Sequence, residues 1–122
     1  MSRTILPSLA SRTTSQTVGF STIAPHGQPD TIAVVIDLTD LEAGAPSLTV
    51  TLRGIDTVSG KTFDILTSTA ISTVTTRVLR IGPAFTGNPN LVAKDIVPEE
   101  MELFVAHANA NPVTYSVGLI HG

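Results

Sequence analysis

The sequence contains no cysteine and no tryptophan, and only one tyrosine and four phenylalanines. Without thiols it has neither a disulfide framework nor a thiolate metal site, so packing alone must hold the fold. With so few aromatic platforms it is poorly equipped to stack sugars or single-stranded bases. Charge is scarce too, at 14% of residues against about 25% in an ordinary soluble protein. Much of the surface must therefore be uncharged Ser and Thr, or be covered by a partner. The seven basic residues are scattered from Arg3 to Lys94 and the net charge is −3. A nucleic-acid binder would need a Lys/Arg-rich face to neutralise phosphates, and none forms here.

Long apolar runs are also missing. The longest, residues 32–38, falls far short of the roughly 20 residues that span a bilayer. Residues 1–16 lack the apolar stretch of a signal peptide. The expectation is a soluble protein made in a cytoplasm, with neither membrane nor nucleic acid as a partner.

What the chain has is alternation. Its 122 residues suit one domain, with two parts by pattern. Residues 1–15 are rich in Ser, Thr and Arg, contain Pro7 and keep no sustained period, so they are expected to form an N-terminal arm. Ile5, Leu6 and Leu9 give that arm an apolar content that a purely solvated tail would not need. From residue 16 to residue 122, short extended segments are separated by turn signals at the spacing of a sandwich or barrel.

Seven or eight strands are expected. The first covers residues 16–23, with Val18 and Phe20 on one face. Residues 31–38 are β-branched and nearly continuously apolar, as a central or interface strand would be. Leu48, Val50 and Leu52 alternate with Thr49, Thr51 and Arg53 in the half-buried pattern. Asp56-Thr-Val-Ser-Gly60 reads as a tight turn, Asp bonding its own backbone and Gly taking a positive φ, which joins a hairpin to residues 61–66. Phe63 and Ile65 are expected to face the core there. Residues 74–81, 101–108 and 113–119 complete the set, and residues 82–100 form the longest connection. The only helical candidate is a single turn at Pro98-Glu-Glu-Met101, where proline and acids suit a helix start. The fold class is therefore all-β, an antiparallel β-sandwich of seven or eight strands, jelly-roll or immunoglobulin-like, with an extended N-terminal arm.

A search for chemistry finds little. His26, His107 and His121 have no spacing that would converge on a metal. His107 falls in register with Met101, Leu103 and Val105, the position of a hydrogen-bonded histidine at the edge of a core. Asp37, Asp40 and Glu42 lie close together, as a glycosidase pair or a calcium site would require, but Asp40 and Glu42 flank a turn where acids are ordinary solvated residues. No Gly-x-Ser-x-Gly elbow or phosphate-cradling glycine loop occurs. We expect no enzyme, no catalytic residue, no metal and no cofactor.

Several phrases carry a likeness: Leu48-Thr-Val-Thr-Leu-Arg-Gly54, Asp56-Thr-Val-Ser-Gly-Lys61, Arg80-Ile-Gly-Pro83, His107-Ala-Asn-Ala-Asn-Pro112 and Tyr115-Ser-Val-Gly118. Together they resemble small β-sandwich virion proteins of tailed bacteriophages, over more than half of the chain. Ala84-Phe-Thr-Gly87 departs from that pattern, and the first 45 residues lie outside it. The resemblance implies a capsid decoration protein: a homo-oligomer, expected as a trimer, made in the host bacterial cytoplasm. It would sit on the outer capsid surface of the virion and clamp the major capsid protein. A tail-tube, terminator or baseplate-associated subunit is the alternative, and a carbohydrate- or receptor-binding module a further one. On this reading Ile5, Leu6 and Leu9 are expected to contact the capsid. Ile32, Val34 and Ile36, with the loop around Phe85, are expected to form the oligomer contact.

Overall fold

The structure, a computed structural model, describes residues 2–23 and 27–121, with the side chains of residues 2, 3 and 6–11 left out of the description. Nine strands and no helix are found among the described residues: β1 (Ser2–Arg12), β2 (Gln16–Ser21), β3 (Ile32–Leu41), β4 (Leu48–Ile55), β5 (Thr62–Thr67), β6 (Thr75–Ile81), β7 (Val92–Ala93), β8 (Glu100–His107) and β9 (Val113–His121). They form two sheets, β1-β9-β3-β6-β7 and β2-β8-β4-β5. Every pairing is antiparallel except β6 with β7.

The pairing is nested. The chain doubles back at the 56–60 turn, so that β4 meets β5, β3 meets β6, β2 meets β8 and β1 meets β9. Rolling this long hairpin up brings β9 beside β3 and β8 beside β4. That is the double-sheet jelly roll, and it decides between the two sandwich topologies that the strand count alone left open.

The core lies between the sheets. Val34, Ile36, Leu38, Leu79, Ile81, Val117 and Leu119 meet Leu48, Val50, Leu52, Met101, Leu103 and Val105, all of them buried. Burying each such side chain contributes about 1.5–3 kcal/mol. Alternation along β3, β8 and β9 is regular, as a sheet with one covered face requires.

Turn chemistry holds the hairpin at residues 56–60. Asp56 Oδ1 accepts from Val58 N at 3.0 Å, and its Oδ2 accepts from Ser59 Oγ at 2.8 Å. Gly60, at φ 77°, donates its N–H to the Asp56 carbonyl at 2.7 Å. These bonds hold the Asp56 carboxyl below its ordinary pKa, Ser59 contributing most. On the open side of the sandwich, Asn90 adopts a φ of 68° and donates from Nδ2 to the Thr67 carbonyl at 2.9 Å. It thereby ties the connection before β7 to the edge of the other sheet.

Four expectations are corrected. Residues 2–12 pair along β9, and Ile5 lies in the core. The irregular period of this segment comes from two register shifts, between Thr4 and Leu6 and between Leu6 and Ala10, each of which resets the alternation. The helical turn at residues 98–101 does not form. Thr22 N bonds the Glu99 carbonyl at 2.8 Å and its hydroxyl bonds the Pro98 carbonyl, continuing the β2–β8 ladder where a helix would have begun. The two-residue β7 breaks the long connection 82–100. Finally, a bulge between Leu52 and Arg53 makes Leu66 the fully core-facing residue of β5. Ile65 packs against the core only in part, and the Phe63 ring lies over Gly54 and is 49% exposed.

Candidate functional site

The two outer faces differ in chemistry. On β4, β5 and β8, Arg53 stands between two acids, its Nε 2.9 Å from Asp64 Oδ1 and its NH1 3.0 Å from Glu102 Oε2. The guanidinium also lies over the Phe104 ring, 4.8 Å from the centroid. Thr51 and Thr67 bond each other beside it at 3.3 Å. The guanidinium of this face is thus paired within the chain.

The outer face of the β1-β9-β3-β6-β7 sheet is built otherwise. Because Ile32, Val34, Ile36 and Leu38 turn inward, Ala33, Val35 and Asp37 turn outward. Cross-strand register sets Ala33 between Ile120 and Arg80, and Val35 between Gly118 and Val78. The result is a stripe of small and apolar side chains, with Asp37 and Thr76 bonded at 3.3 Å toward one end.

At the other end the stripe opens into a hollow of about 150 Å³ lined by Thr31, Ile32, Ala33, Arg80, Phe85, Ile120 and His121. Ile120 is 43% exposed. Phe85 forms the wall because residue 82 is glycine: a Cβ there would sit 2.7 Å from Thr31 Cγ2 and 3.0 Å from the Phe85 ring. The Gly82 N–H is fixed to the Ala93 carbonyl at 3.1 Å, so the loop that carries Phe85 is anchored by β7. Arg80 stands exposed on the rim with no ion pair among the described residues.

Of the residues expected to make contacts, Ile32, Val34 and Ile36 are core residues, exposed by 2% or less; Val34 and Ile36 offer no surface to a second copy, and Ile32 reaches only the lining of the hollow. Ala33 and Val35, their outward neighbours, are the β3 residues on the outer face of the sheet. The signal that distinguishes the two sets is Asp37, which shares a face with Ala33 and Val35 and marks it as the outer one. Phe85 does lie at the hollow. Ile5 is buried, while the side chains of Leu6 and Leu9 lie outside the described residues. Ile120 and Arg80 were not singled out from the sequence, because the hollow draws on three segments that are remote along the chain.

A second polar cluster lies at the opposite end. His107 Nε2 and the Tyr115 hydroxyl are 2.8 Å apart in a hydrogen bond, and the Arg12 guanidinium stacks 4.7 Å from the Tyr115 ring centroid while bonding the Tyr115 carbonyl. Burial, and then Arg12, lower the His107 pKa, and burial pushes Tyr115 up to about 12. Close by, Asn109 and Asn111 donate to the Gly44 carbonyl, each at 3.1 Å. Strands and loops are cross-linked here, with the buried tyrosine at the centre. His107 is thus a hydrogen-bonded histidine at the core edge, and no three His, Asp or Glu side chains converge among the described residues. His26 lies outside them.

No family model matches this chain, and no curated protein or solved structure does so either.

Proposed function

We propose that this chain is a structural virion protein of a tailed bacteriophage, a capsid decoration protein that binds the outside of the head as a homo-oligomer and stabilises contacts between capsid subunits. The observation that carries the reading is the outer face of the β1-β9-β3-β6-β7 sheet. A stripe of Ala33, Val35, Val78, Gly118 and Ile120 with an apolar hollow at its end suits contact with another protein. The jelly roll adds the analogy that this architecture recurs in viral capsids, an argument from fold alone. The phrases of sequence quoted above supply the phage and the head.

In this reading the protein does no chemistry and needs no cofactor. Its partners are the major capsid protein and its own copies, as a trimer on the capsid surface. β1 is the edge strand of its sheet, and Leu6 and Leu9 belong to it, so the shell is met along that edge. A tail-ring subunit would call for a long projecting hairpin. Residues 82–100 are instead folded back, with Arg80 N bonded to the Leu91 carbonyl and Asn88 N to the Val92 carbonyl, both at 3.0 Å. Cryo-electron microscopy of purified virions tests the reading. Density for the sandwich on the outer head surface is expected, and its location on the tail, or its absence from the particle, would overturn it.

A further inference from the structure

The hairpin tip between β4 and β5 is an apolar knob held rigid. Val58 is 94% exposed, the most exposed of the large hydrophobic residues among those described. The turn beneath it is fixed by the Asp56 bonds already described, by Lys61 N to Ser59 Oγ at 3.2 Å and by Asp56 N to the Lys61 carbonyl at 2.9 Å. A loop this well bonded loses little freedom on docking, which lowers the entropic cost of a contact. Val58 makes no use of that rigidity within its own chain. A carboxylate, Asp56, stands beside it, with Lys61 at the base of the turn.

The hollow on the opposite sheet has the complementary features. It is walled by Phe85 and Ile120, floored by Ala33 and rimmed by the exposed guanidinium of Arg80. At about 150 Å³ it has the size at which an apolar cavity admits benzene, enough for an isopropyl group. The turn and the hollow belong to opposite sheets but share one end of the sandwich, where β4 and β9 finish and β3 begins.

We propose that a second copy of this chain seats Val58 in the hollow formed by Ala33, Phe85, Ile120 and Arg80, with Asp56 of that copy toward Arg80. The two surfaces are different, so the contact is head-to-tail, and copies so joined close into a ring when the rotation allows. The inference rests on reading the chain as an assembly subunit, and it names the surfaces by which copies meet. Its test needs no capsid, so its failure would leave the location on the virion to be decided by microscopy.

Sedimentation equilibrium of the full chain, from about 10 μM to about 1 mM, covers the range of transient contacts. Wild type is expected to self-associate. Val58→Asp removes the knob at an exposed position, and Ala33→Lys fills the hollow while its ammonium reaches solvent. Each is expected to weaken association about tenfold or more, the equivalent of one buried valine. Mixed together, the two variants retain one good knob and one good hollow, and should form a 1:1 heterodimer that grows no further. Arg80→Glu serves as a second hollow variant, with association weakened and complementation by Val58→Asp retained, because the Val58→Asp copy keeps Arg80. The proposal is overturned by a wild type that stays monomeric throughout, by association that Val58→Asp leaves unchanged, or by variants that fail to complement.

Discussion

The two outer faces of this sandwich cover the same core with opposite strategies. One meets water with a charged ladder, Glu102–Arg53–Asp64, laid over Phe104. The other presents Ala33, Val35, Gly118 and Val78 in a row, with charge confined to its ends. A sheet needs only one covered face to be stable, so the second face is free to be specified by something other than folding. The ladder makes the first face a poor place for a partner, since docking there would strip water from charges that are already paired. The stripe leaves little to desolvate.

The comparison breaks most severely if the faces do not share a core. Leu79→Ala beneath the stripe and Leu103→Ala beneath the ladder remove fully buried side chains, and each should cost about 2–5 kcal/mol in urea unfolding. A loss below about 1 kcal/mol at either site would mean that the sheets are not packed as described.

The end where the sheets are locked together can be read by titration. Tyr115 is the sole tyrosine, so absorbance reports it without deconvolution. Its midpoint is expected at about 12, not near 10. Because the unfolded tyrosine ionises first, stability should fall as pH rises from about 10 toward 12. His107 acts on the acid side. Its folded pKa is depressed by burial and by Arg12, and its buried Nδ1 has no bonding partner among the described residues. The unfolded chain therefore takes up a proton first, and stability should drop as pH falls below about 6.5. Thermal melts of His107→Gln should lack that acid slope, and an unaltered slope would assign it elsewhere.

Smaller effects separate the faces themselves. Arg53→Met removes two partly exposed ion pairs and a ring contact, and should cost about 1–2 kcal/mol, less in high salt. Val35→Thr on the stripe should change the stability of the isolated protein by no more than about 0.5 kcal/mol. If the stripe substitution proved the costlier of the two, the face assigned to partners would be serving the fold instead.

Much of this architecture is legible in the sequence wherever one face is wet. Leu48, Val50 and Leu52 against three polar residues, or Val113, Tyr115, Val117 and Leu119, announce both strand and facing. The Asp56 turn is equally plain, because its chemistry is local. On β3 the run Ile32-Ala-Val-Val-Ile36 is apolar on both sides, so strand and centrality are readable while the facing is not, and a contact expected from the sequence falls on core residues. β1 was unreadable for a different reason: its bulges break the period that identifies a strand, and its partner lies more than a hundred residues away. The hollow could not be seen at all from spacing, since Ala33, Arg80 and Ile120 meet only after the hairpin has been rolled up.

The distance from β1 to its partner has a consequence for how the protein is made. Ser2 pairs with Ile120 and Arg12 with Val113, so β1 leaves the ribosome long before the strand it pairs with. Until β9 emerges, β1 is an unpaired strand, and β3 also lacks one of its neighbours. At a synthesis rate of about 5–20 residues per second, that interval is several seconds to tens of seconds. Pro7 and the interrupted register make β1 a poor template for pairing with other nascent chains during that wait. The irregularity that disguises the strand in the sequence thus has a use before the molecule is complete.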